Sequence, residues 1–189
     1  MEKKFNILVF PCGSEIGLEI HRSLIYSRHI KLVGANSVDD HGRYIYEDYI
    51  GNVPFVDDEG FLAHIKEIII SRDIDAIYPT MDFVINSLKL CENELGCKVI
   101  ASPAETTTIC NSKTLTYELL CDSINCPRLY HSIQDINKYP VFMKPDVGYG
   151  SRGAKKINSL SEAENQLKDF PNSIILEYLP GAEYKYLWT

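Results

Sequence analysis

A glycine-rich segment, residues 143–153 (MKPDVGYGSRG), is the part of the sequence best suited to binding phosphate. Its glycines allow backbone N–H groups to come close to phosphate oxygens, and a hydroxyl and two cations stand among them. The same composition is typical of a flexible hairpin with an edge lysine, so the spacing leaves both interpretations open. The P-loop order G-x-x-x-x-G-K-[ST] is absent. The residues concerned are Lys144, Gly148, Gly150, Ser151, Arg152 and Gly153.

Two lysines stand where a positive charge is unfavourable without a partner. Lys113 follows Asn111 and Ser112 at the start of a predicted helix, and a cation in the first turn opposes the helix dipole unless an anion neutralises it. Lys144 closes an apolar strand, where its ammonium needs an anionic partner. An exposed side chain is the simpler interpretation of Lys113 taken alone.

Residues 174–184 (IILEYLPGAEY) combine an apolar strand with two carboxylates. A purine could pair with the backbone edge that runs to Leu179, while Glu177 accepts a hydrogen bond from its exocyclic amine. Glu183, after the Pro-Gly turn, could accept from ribose hydroxyls. An edge strand with two solvated carboxylates is the alternative.

The turn at residues 11–17 (PCGSEIG) lacks two of the three glycines of the dinucleotide fingerprint G-x-G-x-x-G. Gly13 permits a tight turn and Gly17 permits close packing of helix on strand. Glu15 places a carboxylate where a pyrophosphate would lie, which opposes anion binding. A structural turn is therefore favoured over a nicotinamide site.

The first hundred residues alternate strand-like and helix-like segments, which predicts a parallel sheet with right-handed crossovers, an open doubly wound sheet. Ser14 is expected to cap the first helix. The predicted strands cover 6–10, 30–35, 52–56, 75–80 and 98–102, and the later helices cover 61–69 and 82–95.

The pattern changes after Pro103 and predicts a second, α+β unit that begins near residue 111. Two strands on either side of the glycine-rich segment are expected to pair as an antiparallel hairpin. The predicted helices cover 104–110, 112–123 and a segment from Ser159 or Ser161 to Phe170, and the predicted strands cover 140–145, 154–157 and 174–179.

Composition narrows the class of protein. Nineteen Lys and Arg against 26 Asp and Glu give a net charge of −7, which argues against nucleic acid as the main partner. No apolar run reaches the roughly 20 residues of a membrane helix, and no signal-peptide pattern is present, so a cytoplasmic location is expected.

The six cysteines are scattered and are expected to be free thiols. We predict no metal site, and the five histidines receive no role.

The order of these motifs resembles the ATP-grasp superfamily, particularly its carbamoyl-phosphate-synthase-like members. The order is a lysine at a helix start, a strand-ending lysine, a glycine-rich hairpin and E-Y-L-P-G-x-E. The preceding unit resembles the pre-ATP-grasp domain of that family. The resemblance implies an α/β fold: a Rossmann-like pre-ATP-grasp sheet over residues 1–111, then the α+β N-terminal ATP-grasp subdomain over residues 112–189.

The resemblance also implies roles for individual residues around ATP. Lys113 and Lys144 would contact its phosphates, and a loop would close over them. Glu177 and the backbone through Leu179 would hold adenine, and Glu183 would bind ribose. The loop residues are Gly148, Gly150, Ser151 and Gly153. No catalytic residue is assigned.

In a complete relative the implied reaction is ligation of a carboxylate and an amine, or a carbamoyl-phosphate-type reaction, through an acyl phosphate. A second subdomain would supply the Mg²⁺ ligands, so Mg²⁺ is expected only when that subdomain is present. The chain is thus expected to be an ATP-binding fragment, inactive alone, with an unknown carboxylate or amine substrate. The alternative is a non-catalytic module that binds a metabolite or a partner.

The last residues, 185–189 (KYLWT), depart from the alternating Ser-Val-Asp strand typical of relatives. Trp188-Thr189 must be encoded TGG-ACN, and the shifted frame contains GAC, an Asp codon. We hypothesise a frameshift or a truncated gene. A split gene, with a separate chain carrying the C-terminal subdomain, is the other route. An uncovered strand edge near residues 174–189 also predicts a possible homo-oligomer.

Overall fold

The structure, a computed structural model, describes residues 4–148 and 150–181. It divides into two compact units, Met1–Asn111 (unit 1) and Ser112–Thr189 (unit 2). Unit 1 has a parallel sheet and unit 2 an antiparallel one, so the predicted α/β fold class is confirmed. Glu183 and the segment 185–189 lie outside the described residues.

The sheet of unit 1 has five strands in the described part of the chain, in the order β3-β2-β1-β4-β5, and its neighbours are parallel. Leu8 pairs with Val33 on one side and with Ile77 on the other, and these three side chains are fully buried. Burial of the central strands explains their continuous apolar runs. The strands are β1 (Phe5–Phe10), β2 (Ile30–Ala35), β3 (Tyr49–Ile50), β4 (Ala76–Pro79) and β5 (Lys98–Val99).

The helices of unit 1 follow the strands, and the first begins as expected. The Ser14 hydroxyl accepts a hydrogen bond from the Gly17 N–H at 3.0 Å and so caps α1. The single helix predicted over 82–95 is wrong, because Cys91 leaves the helical region with φ −99° and ψ 8°. The helices are α1 (Glu15–Leu24), α2 (Gly42–Ile45), α3 (Phe61–Ser71), α4 (Asp82–Leu90), α5 (Glu92–Leu95) and α6 (Ala104–Asn111).

The third strand lies earlier in the chain than predicted. It covers Tyr49–Ile50 instead of 52–56, because Asn52 adopts a left-handed φ of 59° and turns the chain. Val53 is 2% exposed without being in a strand, so core packing alone produced the apolar signal there. The fifth strand ends at Val99 rather than at residue 102.

Unit 2 contains a four-stranded antiparallel sheet over its described residues, in the order β6-β9-β7-β8. Strands β7 and β8 flank the glycine-rich segment and pair with each other, which confirms the predicted hairpin. Val141, Met143 and Ile157 are fully buried in its core. The elements are α7 (Lys113–Leu120), β6 (Leu129–Tyr130), a 3₁₀ turn (Ile133–Asp135), β7 (Val141–Pro145), β8 (Lys155–Ile157), α8 (Leu160–Asp169) and β9 (Ser173–Glu177).

Strand β9 is not an edge strand, and the predicted uncovered edge near 174–189 is wrong where the structure describes it. Leu176 pairs with Phe142 of β7 on one side and with Leu129 of β6 on the other. The two-residue strand β6 covers the side that the sequence left open. Self-association therefore cannot be argued from an exposed edge of β9.

Candidate functional site

Unit 2 contains a cavity of about 690 Å³, the unit 2 cavity, formed by α7, β7, the glycine-rich loop and the end of β9. Seven of the nine predicted binding residues line it: Lys113, Lys144, Gly148, Gly150, Ser151, Glu177 and Leu179. Gly153 lies at the end of the same loop, and Glu183 lies outside the described residues. Segments far apart in sequence thus meet around one space.

Lys113 lies in the first turn of α7, which Ser112 caps by accepting from the Leu115 N–H at 3.1 Å. Its ammonium donates to the carbonyl oxygens of Asp146 at 2.8 Å and Gly148 at 3.3 Å. These carbonyl dipoles stand where the sequence suggested an anion, and they hold the side chain against the start of the glycine-rich loop.

Lys144 lies on β7, and its ammonium contacts Tyr117 of α7. The distance from Nζ to the phenol oxygen is 3.2 Å, and Nζ lies 5.2 Å from the ring centroid. An aromatic face attracts a cation without cancelling its charge. Lys144 thus keeps a positive charge at the cavity wall.

The glycine-rich loop needs backbone conformations that favour glycine. Gly150 has φ 64° and Gly153 has φ 73°. A side chain at Gly153 would also approach the Phe170 ring within 2.8 Å. The buried Gln166 of α8 donates to the Gly153 carbonyl at 2.6 Å and fixes this end of the loop.

The end of β9 is bonded to Arg128 through both its backbone and its side chain. The Glu177 N–H donates to the Arg128 carbonyl at 2.8 Å, and the Glu177 carboxylate accepts from the Arg128 N–H at 3.3 Å. Leu179 is 61% exposed. Lys156 of β8 places its ammonium 4.5 Å from the centroid of the Tyr178 ring. Glu177, Tyr178 and Leu179 all line the unit 2 cavity.

Charge at the unit 2 cavity favours an anion even though the whole chain is acidic. Among the described residues, Lys113, Lys144 and Arg152 line it together with one carboxylate, that of Glu177. Burial acts to raise the pKa of nearby Asp146, but hydrogen bonds from Thr114 and Ser112 and the charge of Lys113 outweigh it, so this pKa lies below its ordinary value.

Sequence reasoning missed the aromatic residues of the site. Tyr117 and Tyr178 both line the unit 2 cavity, and both hold a lysine against the ring face. Tyr117 lies four residues after Lys113, a spacing that puts the two on one face of a helix. That spacing could have identified Tyr117 as a residue of the site. Tyr178 gave none, because its partner Lys156 is on another strand.

The turn at residues 11–17 packs so closely that neither of its glycines has room for a side chain. A side chain at Gly13 would come within 2.1 Å of the Asp40 carboxylate, and one at Gly17 within 2.3 Å of the Cys12 carbonyl. Asp40 and Glu15 both make this turn unfavourable for a pyrophosphate. The interpretation of the motif as a structural turn agrees with this geometry.

Unit 1 has a cavity of about 300 Å³ near the carboxyl ends of β4 and β5. Pro79, Asp82 and Ile100 are among its lining residues. Such positions in open α/β sheets commonly bind ligands. Over the described residues, neither this cavity nor any other place brings together three or more His, Cys, Asp or Glu side chains that could hold a metal ion.

No described helix is both long enough and apolar enough to cross a membrane.

The comparisons with known proteins identify the second part of the chain. Residues 110–186 match the model of the ATP-grasp domain family. A D-alanine–D-alanine ligase of Fusobacterium nucleatum is 30% identical over 90 residues, which are 47% of this chain and 31% of that ligase. The family match places an ATP-grasp domain at residues 110–186.

Solved structures extend the likeness of fold to nearly the whole chain. The biotin carboxylase domain of Hydrogenobacter thermophilus 2-oxoglutarate carboxylase, solved with MgADP, ADP and bicarbonate, matches 95% of this chain with a TM-score of 0.72 and 18% identity. An L-amino acid ligase from Bacillus licheniformis matches 96% with a TM-score of 0.68 and 16% identity. This chain spans 45% and 46% of those two chains.

Proposed function

We propose that unit 2 binds ATP as one part of the active site of an ATP-dependent ligase, and that unit 1 is its pre-ATP-grasp domain. The observation that carries the proposal is the unit 2 cavity, where Lys113, Lys144 and the glycine-rich loop face the backbone end of β9. The family match over residues 110–186 supports it.

Each predicted residue receives a role in this proposal. Lys113 and Lys144 bind the phosphates, the loop residues cover them, and Glu177 with the backbone to Leu179 holds adenine. Glu183 binds ribose. Charge-assisted hydrogen bonds from lysine suit phosphate oxygens, and glycine N–H groups suit close contact with them. The loop residues are Gly148, Gly150, Ser151 and Gly153.

The proposed reaction activates a carboxylate with ATP. A carboxylate oxygen attacks the γ-phosphorus and ADP leaves, which forms an acyl phosphate. An amine then attacks the acyl carbon and phosphate leaves. A carbamoyl-phosphate-type reaction follows the same first step. Mg²⁺ bound with the nucleotide would neutralise phosphate charge during that transfer.

The complete site needs more residues than this chain supplies. The compared structures are about twice as long as the matched chain, and one of them was solved with MgADP. We propose that the Mg²⁺ ligands and the substrate-binding groups belong to a segment beyond unit 2 or to a separate chain. Alone, the chain would bind ATP and turn over little of it.

The test is calorimetric titration of the chain with Mg-ATP, with Lys144→Ala as the site variant. We expect binding at millimolar affinity or better, and a dissociation constant at least tenfold weaker in Lys144→Ala, since a hydrogen bond to a charged group contributes about 1.5–3 kcal/mol. Lys168→Ala on the exposed side of α8 is the matched control. Equal affinity in Lys144→Ala and Lys168→Ala would contradict the proposal.

The 300 Å³ cavity of unit 1 supports a second candidate, a module that binds a small metabolite without catalysis. A titration with small carboxylates, followed by NMR, distinguishes the two. Shifts confined to residues such as Tyr78 and Ile100, together with no heat from Mg-ATP, would favour the module.

A further inference from the structure

Asp146 joins three segments of unit 2 through its own polar groups. Its N–H donates to the Asn172 carbonyl at 2.9 Å. Its carbonyl accepts from Lys113, at 3.3 Å from the backbone N–H and at 2.8 Å from Nζ. Its carboxylate accepts from the Thr114 N–H at 2.7 Å and from the Ser112 hydroxyl at 2.8 Å.

The position of Asp146 connects the two lysines of the cavity. It follows β7 directly and comes two residues after Lys144, while its carboxylate binds the first turn of α7, where Lys113 lies. Asp146 itself is not among the described residues that line the unit 2 cavity. Its side chain thus acts on the cavity through the elements that it joins.

We propose that Asp146 is a positioning residue that holds the start of α7 on the end of β7, and thereby sets the place of Lys113 relative to Lys144. The proposal deepens the nucleotide site described above and rests on it for its effect on ATP. Without the carboxylate, the Thr114 N–H and the Ser112 hydroxyl lose their partner. The first turn of α7 is then held to the end of β7 only by the bonds from Lys113 to the Asp146 carbonyl.

The proposed role of Asp146 is to position Lys113, whereas the negative charge of Asp146 by itself would weaken phosphate binding. A carboxylate beside Lys113 reduces the positive potential that a phosphate would meet. If charge were the whole effect, any neutral residue at position 146 would bind ATP more tightly. If position dominates, a neutral residue binds well only when it keeps the two hydrogen bonds.

Two variants separate these effects. Asp146→Asn keeps an oxygen for the Thr114 N–H and an amide that can donate to the Ser112 hydroxyl, so its affinity for Mg-ATP should equal or exceed that of the natural chain. Asp146→Ala keeps neither bond, and its dissociation constant should rise about tenfold. Asp169→Ala, on the exposed end of α8, is the matched control and should bind as the natural chain does.

A measurement without nucleotide tests the position itself. In the structure, Lys113 Nζ lies 3.3 Å from the Gly148 carbonyl oxygen. A nuclear Overhauser effect between the Lys113 ε protons and the Gly148 α protons reports this contact. We expect this signal in the natural chain and in Asp146→Asn, and its loss in Asp146→Ala. Unchanged core signals from Val141 and Met143 show that the sheet is intact. If Asp146→Ala does not fold, Ser112→Ala takes its place; it removes the hydroxyl's bond to Asp146 and also the capping bond from the Leu115 N–H.

The outcomes separate failure of this proposal from failure of the nucleotide site. If the natural chain gives no heat with Mg-ATP, the proposed function fails and the Lys113–Gly148 signal alone decides the role of Asp146. The positioning role is overturned if the alanine variant, or Ser112→Ala in its place, keeps that signal and, where ATP binds, the natural affinity. Tighter binding in Asp146→Ala would show that its charge, not its geometry, governs the site.

Discussion

Lys144 shows most clearly what a single residue contributes and what its sequence position conceals. An apolar strand that ends in lysine indicated that the ammonium needs an anionic partner. The partner in the structure is instead the phenol of Tyr117, which is 27 residues earlier in the chain. The sequence indicated that Lys144 needs a partner, but it could not identify Tyr117, because only the fold brings α7 beside β7.

Glu177→Ala should weaken discrimination between ATP and GTP. An adenine presents an exocyclic amine that a carboxylate can accept from, whereas guanine presents a carbonyl there and is repelled. We expect the ratio of the two dissociation constants to move several-fold towards one, which calorimetry with both nucleotides measures. Glu164→Ala on α8 is the control, because its side chain is exposed. An unchanged ratio in Glu177→Ala would remove Glu177 from the adenine site.

The hairpin and the capped helices could be predicted from the sequence because their signals are local. Ser14 and Ser159 accept from the backbone N–H groups three residues further along, in the first turns of α1 and α8. Strands β3 and β6 were misplaced or missed, because each has only two residues and exists through its pairing. The interior place of β9 also depends on β6, so no pattern within β9 could reveal it.

At the scale of the glycine-rich loop, Gly153→Ala should destabilise unit 2 more than Gly150→Ala. Both positions have positive φ, which costs a residue with a side chain about 1–2 kcal/mol. Position 153 adds a clash with the Phe170 ring at 2.8 Å, while position 150 has nothing within 4 Å. We expect a loss of about 1–3 kcal/mol at 153 and about 1 kcal/mol at 150. Denaturant unfolding measures both, and equal losses would contradict the packing argument.

For the whole molecule, the pattern of apolar residues predicted the alternation of strands and helices in unit 1 and the change of pattern that precedes unit 2. The structural comparisons extend over 95% of the chain at 18% identity, so the shared information is topology rather than residue identity. The substrate could not be predicted, because the site residues that the motifs suggest are all proposed to bind the nucleotide.

Thiol reactivity across the chain should follow burial. Burial raises the pKa of Cys12 to about 12 and that of Cys97 to about 11. Because the thiolate is the nucleophile, both should resist iodoacetamide at pH 8, whereas the exposed Cys110 and Cys121 should react first. Peptide mass spectrometry over time gives the order. In guanidinium chloride all six should react alike, and early labelling of Cys12 in the folded chain would contradict its burial.

The interior place of β9 has a consequence for the order in which the molecule can be made. Strand β6 has β9 as its neighbour in the sheet, and β9 is completed only at Glu177. During synthesis, the segment from β6 to α8 therefore cannot complete its sheet until β9 has been made. Until Glu177 has left the ribosome, the backbone groups of β6 and of one side of β7 remain open to other strands. The unit 2 cavity, which Glu177 lines, therefore cannot form before Glu177 has been synthesised.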